Sequence, residues 1–151
     1  MTWHDRLAEL GIELPELAKP VAAYVPAVRT DRYVYTSGQL PFVSGVLPAT
    51  GKVGAEVSPE EAKRYARTCA LNALAAVHDL VGLDAVVRVV KMVGFVASAD
   101  GFTGQPGVIN GASEVLGEIF GEAGRHARSA VGVAELPLGA PVEVELVVEV
   151  E

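Results

Sequence analysis

The chain has 151 residues, half of them hydrophobic, and a net charge of −7. This length suits one domain with a sizeable core, and the composition excludes a disordered chain. An acidic surface repels phosphate backbones, so nucleic acid is a poor candidate partner. The chain has one cysteine, Cys69, and no apolar run of signal-peptide or membrane-spanning length. We therefore expect a cytoplasmic protein with no membrane contact.

The first twenty residues are predicted to be a helical extension, and residues 21–151 to be the main domain. Thr2 is a suitable N-cap for a helix, and Gly11 is a suitable residue to end it. The following proline-containing stretch is expected to be extended.

The main domain is predicted to begin with two short strands, at about residues 24–29 and 32–37. A long helix is expected over residues 59–81, because Ser58 and Glu61 form a capping-box pattern and Pro59 suits the first helical position. The β-branched run 86–96 is typical of a central strand.

A second helix is predicted over about residues 106–121, and two strands over 129–136 and 142–150. Together these elements predict an α+β fold, a single mixed sheet of about six strands with two helices on one face. If the last two strands form a hairpin across residues 137–141, Arg128 and Glu143 lie about 16 Å apart along it. One chain could not then bring both residues to one small substrate.

Small residues alternate with valines in the strand predicted over residues 129–136, and glutamates alternate with valines in the last strand. We expect the small residues to share the helix-free face of the sheet with Arg128 and the glutamates. Small side chains allow a close approach, so this face is interpreted as a subunit contact. The alternative is a solvated outer face.

The three histidines, His4, His78 and His126, lack the spacing of metal ligands, so no metal or cofactor is predicted. Arg128 is a candidate for binding a carboxylate, because a guanidinium can donate two parallel hydrogen bonds. Glu143 could orient a water molecule or accept a proton. The alternative for these two residues is a structural ion pair.

Two motifs resemble those of the RidA/YjgF (L-PSP) family. Tyr24, followed by Tyr35-Thr-Ser-Gly-Gln-Leu-Pro41, is similar to the opening motif of the family. The stretch His126-Ala-Arg-Ser-Ala-Val-Gly-Val-Ala-Glu-Leu-Pro137, with Pro141-Val-Glu-Val-Glu145 after it, resembles the family signature P-A-R-S-x-V-x-V-x-x-L-P…[IV]-E-[IV]-E. The chain departs from that signature at His126, where the family has proline, and at Ala130, where the family has cysteine.

This resemblance implies a chorismate-mutase-like homotrimer in which three sheets close into a central barrel, with active sites between subunits. It also implies hydrolysis of reactive enamines and imines, such as 2-aminoacrylate and 2-iminopropionate, to 2-oxo acids and ammonia without a cofactor. In that reaction Arg128 would hold the carboxylate of the small substrate, and Glu143 would place the attacking water. The remaining ligand contacts implied by the family motifs are Tyr24, Ser37, Gly38 and Asn110.

Two alternatives remain open. The first is a non-catalytic module of the same fold that binds a 2-oxo acid or an amino acid. The second is an endoribonuclease of the L-PSP type, which the net charge and the expected lack of a general-base histidine near Arg128 disfavour.

Overall fold

The computed structural model of the chain describes residues 1–17 and 23–151. Three helices and five strands occupy these residues. The helices are α1 (Trp3–Leu10), α2 (Pro59–Val81) and α3 (Gln105–Phe120), and the strands are β1 (Ala27–Thr30), β2 (Tyr33–Thr36), β3 (Val86–Ala97), β4 (Ala127–Val133) and β5 (Val142–Val150). The predicted boundary between residues 20 and 21 lies outside the described residues.

The helix termini follow the capping signals in the sequence. Ser58 Oγ accepts a hydrogen bond from the Glu61 backbone N–H at 3.1 Å, and Pro59 opens α2. In α1, Thr2 and Asp5 form a reciprocal capping box, and Gly11 ends the helix in the left-handed region with φ 67°. Because these caps satisfy backbone groups that the helix itself leaves unpaired, the predicted bounds of both helices agree closely with the structure.

The strands form one sheet in the order β1-β2-β5-β3-β4. α2 and α3 pack on the same face of this sheet, as predicted. Every second residue of β5, from Val142 to Val150, is buried on that face. The buried positions of α2 are mostly alanine, so that helix lies close to the sheet.

The sheet has five strands in the described part of the chain, one fewer than predicted. Residues after β2 form only an isolated bridge, in which Gln39 and Val144 exchange backbone hydrogen bonds of 2.8 and 3.1 Å. Pro41 follows two residues later and has no N–H for a ladder, which prevents continuation of the strand.

The predicted hairpin between the last two strands is wrong. β3 lies between β4 and β5, parallel to β4 and antiparallel to β5. The connection after β4 contains a 3-10 turn at Pro137–Gly139 and passes the end of β3. A connection of this length easily covers two strand spacings, about 10 Å, so its length did not require the strands to be neighbours.

The side to which β4 directs its small residues also differs from the prediction. Arg128, Ala130 and Gly132 pair with β3 residues of the helix-covered side, and Ala130 packs against the core. The glutamates of β5 lie on the opposite face, which we call the open face. The small residues therefore let α3 approach the sheet and do not form the open face.

Apolar side chains cover much of the open face. Val28, Tyr35 and Val131 are 53%, 47% and 44% exposed, and Phe95, the β3 neighbour of Val131, is half-buried. In the described part of the chain, α2 and α3 both lie on the other side of the sheet. This face is therefore an uncovered, partly apolar surface of the chain.

The N-terminal helix packs against the main domain. The indole N–H of Trp3 donates to the Val86 carbonyl at 2.7 Å, and the Trp3 ring meets Phe120 edge-on at 5.0 Å between centroids. Arg6 donates to the Glu118 carbonyl at 3.0 Å. Within residues 1–17 and 23–151, no helix has the length and apolar character needed to cross a bilayer.

Candidate functional site

Arg128 lies on the edge strand β4 and extends towards α3. Its Nη1 donates to Ser113 Oγ at 3.1 Å, and its Nη2 donates to the Pro106 carbonyl at 3.2 Å. Among the described residues no carboxylate forms an ion pair with it. A guanidinium has five N–H donors, so three remain for a ligand after these two bonds. The alternative of a structural Arg128–Glu143 ion pair is therefore wrong for the described chain.

Asn110 lies near Arg128, on the same helix that holds it. Pro106, Asn110 and Ser113 are spaced by four and three residues, which places them on one side of α3. Asn110 is exposed and lies one helical turn from each residue that contacts Arg128. The structure thus brings together two of the predicted site residues.

A histidine joins this group through Ser113. Ser113 Oγ lies 2.9 Å from His126 Nε2, and His126 Nδ1 lies 2.6 Å from the Gly124 carbonyl oxygen. The expectation that no histidine lies near Arg128 is wrong, because one serine hydroxyl links the two side chains. The sequence contained a signal, since His126 is only two residues before Arg128 and directly precedes β4.

Glu143 is the centre of a second group, on the open face. Its side chain is half-buried, and the loss of solvent, followed by the negative charge of Glu145, raises the pKa of the Glu143 carboxyl above its ordinary value. A methyl group added at Gly38 would overlap Glu143 Oε1 and lie 2.8 Å from Cδ. Gly38 therefore provides the space that the Glu143 carboxylate occupies.

Ser37 and Tyr24 lie beside this second group. Ser37 Oγ donates to the Val25 carbonyl at 2.6 Å, and the Ser37 backbone N–H donates to the Pro26 carbonyl at 2.8 Å. These bonds tie the segment after β2 to the chain just before β1. Tyr24, next to Val25, is 59% exposed.

The two groups lie on opposite faces of the sheet. Arg128 pairs with Met92 on the helix-covered side, whereas Glu143 pairs with Phe95 on the open face. β3 separates their strands, which is a lateral distance of about 10 Å. The 16 Å estimate for a hairpin no longer applies, but in this chain the two side chains still do not meet.

A large cavity elsewhere in the chain has a different chemical character. It measures about 820 Å³ and opens between residues 13–17, residues 39–45 and α2. Its described lining contains Glu13 and Glu16, with apolar side chains such as Leu14 and Phe42. Two carboxylates repel an anion, so a carboxylate ligand favours the neighbourhood of Arg128. None of the six predicted site residues is among the described lining residues.

Metal coordination has no support in the described residues. Within them, no group of three or more histidine, cysteine, aspartate and glutamate side chains could hold a metal ion. The polar groups near Arg128 are a hydroxyl, an imidazole and an amide, which suit hydrogen bonding to an organic anion.

Comparison with known proteins agrees with this fold. Residues 4–150 match the model of the family described as "YjgF/chorismate mutase-like, putative endoribonuclease". The chain is 47% identical to Protein TCP17 of Trypanosoma cruzi over 147 residues, which are 95% of this chain and 91% of that protein. It is 32% identical to the 2-iminobutanoate/2-iminopropanoate deaminase of Rattus norvegicus over 127 residues, 84% of this chain and 80% of the relative.

A solved structure has the same architecture. The crystal structure of protein Atu1372 from Agrobacterium tumefaciens superposes with a TM-score of 0.91 at 45% identity, covering 99% of this chain and 92% of that one. The mixed sheet, the two helices on one face and these matches define an α+β protein of the chorismate-mutase-like class. The chain belongs to the YjgF/RidA family.

Proposed function

We propose that this chain is a deaminase that hydrolyses small 2-imino acids, such as 2-iminopropionate, to 2-oxo acids and ammonia. The observation that supports this most strongly is Arg128, a guanidinium held in place by Ser113 and Pro106 with no carboxylate partner in the described chain. The deaminase name of the rat relative gives the same reaction class.

Arg128 binds the substrate carboxylate in this proposal. Two of its three remaining N–H groups form the parallel pair that a carboxylate accepts. An iminium carbon is already electrophilic, so the site needs only to fix the carboxylate and present a water molecule to that carbon. Asn110, exposed on the same side of α3, is available to hold the substrate from a second direction.

Glu143 orients the attacking water and takes the hydroxyl proton when the ketone forms. Its raised pKa suits this role, because a carboxylate with a higher pKa is a better proton acceptor near neutral pH. A binding module without turnover would need Arg128 but would have no use for such a carboxylate, which favours the enzyme over that alternative.

The complete site then requires two chains. Since Arg128 and Glu143 lie on opposite faces of one sheet, we place the Arg128 of one subunit against the Glu143 of a neighbour, in a homotrimer with three equivalent sites. The uncovered apolar side chains of the open face, including Tyr35 and Val131, support an assembly through that face. Light scattering at micromolar concentration tests this, and a monomer mass would contradict it.

The test of the activity is steady-state hydrolysis of freshly generated 2-iminopropionate, followed by the release of pyruvate. The wild-type chain should accelerate the reaction, and Arg128→Ala should abolish both hydrolysis and pyruvate binding. Losing a charged, paired contact costs about 2–5 kcal/mol in binding. Equal pyruvate affinity for the wild type and Arg128→Ala would refute the carboxylate-binding role.

Complementation tests the location of the site. Arg128→Ala and Glu143→Ala chains are each expected to be inactive, and unfolding and refolding them together should restore part of the activity through mixed trimers. Each restored site would combine the arginine of one chain with the glutamate of another. Mixed trimers that form and stay inactive would mean that one chain supplies both residues.

One argument against the endoribonuclease alternative was the expected lack of a histidine near Arg128. That argument no longer holds, because His126 lies near Arg128. The net charge of −7 still opposes an RNA substrate. The same preparations should therefore leave a single-stranded RNA intact.

A further inference from the structure

His126, Ser113 and Arg128 form a continuous chain of hydrogen bonds that ends at the proposed carboxylate site. The Gly124 carbonyl can only accept, so the His126 Nδ1 at 2.6 Å from it must carry a proton. In the neutral imidazole, Nε2 is then an acceptor and faces the Ser113 hydroxyl at 2.9 Å. Arg128 donates to the same hydroxyl oxygen at 3.1 Å.

In this neutral form, Ser113 accepts from Arg128 and directs its own hydroxyl hydrogen towards the unprotonated His126 Nε2. A hydroxyl oxygen has two lone pairs, of which Arg128 uses one. The second can accept a hydrogen bond from a substrate or a water molecule bound at Arg128. This is the arrangement in which a histidine serves as the base for a serine hydroxyl.

A water molecule would connect the substrate to that hydroxyl. In a 2-imino acid, the imine carbon is bonded directly to the carboxylate carbon. A carboxylate on the remaining N–H groups of Arg128 directs the imine carbon away from the guanidinium, so the attacking water must lie between that carbon and Ser113 Oγ and connect the two.

We propose that Ser113 and His126 form a proton relay for the substrate held by Arg128. This inference rests on the proposed deaminase function and adds two residues to it. His126 acts through Ser113 and is a positioning and proton-storing residue, while Ser113 contacts the attacking water.

The reaction balances in two steps. In the first, water adds to the iminium carbon, the C=N π electrons move to nitrogen, and the water proton passes to Ser113 as the serine proton moves to His126 Nε2. In the second, this proton returns through Ser113 and a bridging water molecule to the amine nitrogen. The carbinolamine hydroxyl gives its proton to the Glu143 of the neighbouring subunit, the C–N bond breaks and ammonia leaves. No oxidant, reductant or metal takes part.

The charges around His126 come from several elements. Glu114 on α3 pairs with Lys63 at 3.0 Å, and Glu122 pairs with Arg125 at 3.7 Å. Arg88 of β3 donates to the Arg125 carbonyl at 3.1 Å. Among the described residues neither of these acids pairs with His126, whose ring nitrogens meet Ser113 Oγ and the Gly124 carbonyl.

The experiment measures kcat and KM for 2-iminopropionate at neutral pH. The variants are Ser113→Ala, Ser113→Thr and His126→Gln, with His4→Gln as the matched control. His4 is an exposed histidine that pairs with Asp84 at 3.1 Å, on a different part of the chain. Pyruvate affinity by calorimetry reports whether Arg128 still binds a carboxylate.

Ser113→Ala and His126→Gln should lower kcat about 100-fold or more, with KM and pyruvate affinity within about threefold of the wild type. Ser113→Thr keeps a hydroxyl and should recover most of the rate. His4→Gln should retain the wild-type kcat.

An active wild type with unchanged kcat in His126→Gln would overturn the relay and leave the deaminase proposal intact. Pyruvate affinity that drops as far as kcat in Ser113→Ala would also overturn it, because Ser113 would then only hold Arg128. A wild type that hydrolyses no imine would overturn the proposed function and the relay with it. If Ser113→Ala does not fold, His126→Gln and Ser113→Thr decide the question.

Discussion

Replacing Gly38 with alanine tests whether the position of the Glu143 carboxylate matters. Gly38 does not have a positive φ, so an alanine backbone is allowed there. The added Cβ would overlap Glu143 Oε1 and lie 2.8 and 3.1 Å from Cδ and Cγ. Since the obstacle is the end of a flexible side chain, the carboxylate can move away while the fold stays intact.

The expected size of the effect follows from this displacement. The Glu143 carboxylate must move by about 1 Å, and a misplacement of that size at a reacting group can cost about 100-fold in rate. The cost in stability should be small, about 0.5–1.5 kcal/mol, because the side chain needs only an off-rotamer conformation. Gly38→Ala should therefore lose most of the imine hydrolysis and little stability.

A double-mutant cycle shows whether Gly38→Ala acts by displacing the Glu143 side chain. Because Glu143→Ala is itself expected to be inactive, the cycle is read in the free energy of unfolding. The obstructed atoms are gone in that background, so adding Gly38→Ala should cost no further stability. Gly117→Ala is the control, because a Cβ at that exposed helix position meets nothing within 4 Å. Gly38→Ala with a rate within twofold of the wild type, or additive losses of stability in the double variant, would refute the proposed contact.

Three further predictions concern stability, each measured by urea unfolding. The pKa of the Glu143 carboxyl in the folded chain is raised above 4.5, so the folded state binds the proton more tightly and stability falls as pH rises through the folded pKa. Glu143→Gln should therefore be more stable than the wild type at pH 7 and lose that advantage near pH 4. An equal difference in stability at both pH values would contradict this. Gly111→Ala should lower the free energy of unfolding by about 1–3 kcal/mol, because its Cβ would meet the Lys63 backbone of α2. Gly117→Ala should raise the free energy of unfolding by about 0.5–1 kcal/mol. Two equal effects would rule out close helix packing at Gly111. Trp3→Phe should cost about 1 kcal/mol, because the Val86 carbonyl loses the indole donor that reaches it at 2.7 Å, and an unchanged midpoint would mean that this bond contributes nothing.

The helices could be predicted from the sequence because their signals are local. Ser58 and Pro59 mark the start of α2, and Gly82 follows its last residue. A cap acts on backbone groups within three or four residues, so tertiary packing hardly alters it. The buried side of β5 could also be predicted, since every second residue from Val142 to Val150 is aliphatic while three of the four residues between them are glutamates.

The position of β4 could not be predicted in this way. That strand has small residues on one side and valines on the other, and neither set is polar enough to mark the solvent side. Either side could therefore face a helix or a second subunit. The short link to β5 favoured a hairpin, but β3 lies between the two strands. Strand neighbours depend on long-range packing, and the free energy of that packing does not appear in a local pattern.

For the candidate site, too, the sequence identified some residues, and only the folded structure showed how they are arranged. The family motifs identified Arg128 and Glu143 from the sequence by itself, because a motif records residue types in a fixed order. Only the tertiary structure placed them on opposite faces and brought Ser113, 15 residues from Arg128, between that arginine and His126. Hydrogen bonds across an edge strand and a helix depend on how the two elements pack, and that packing is a property of the folded chain.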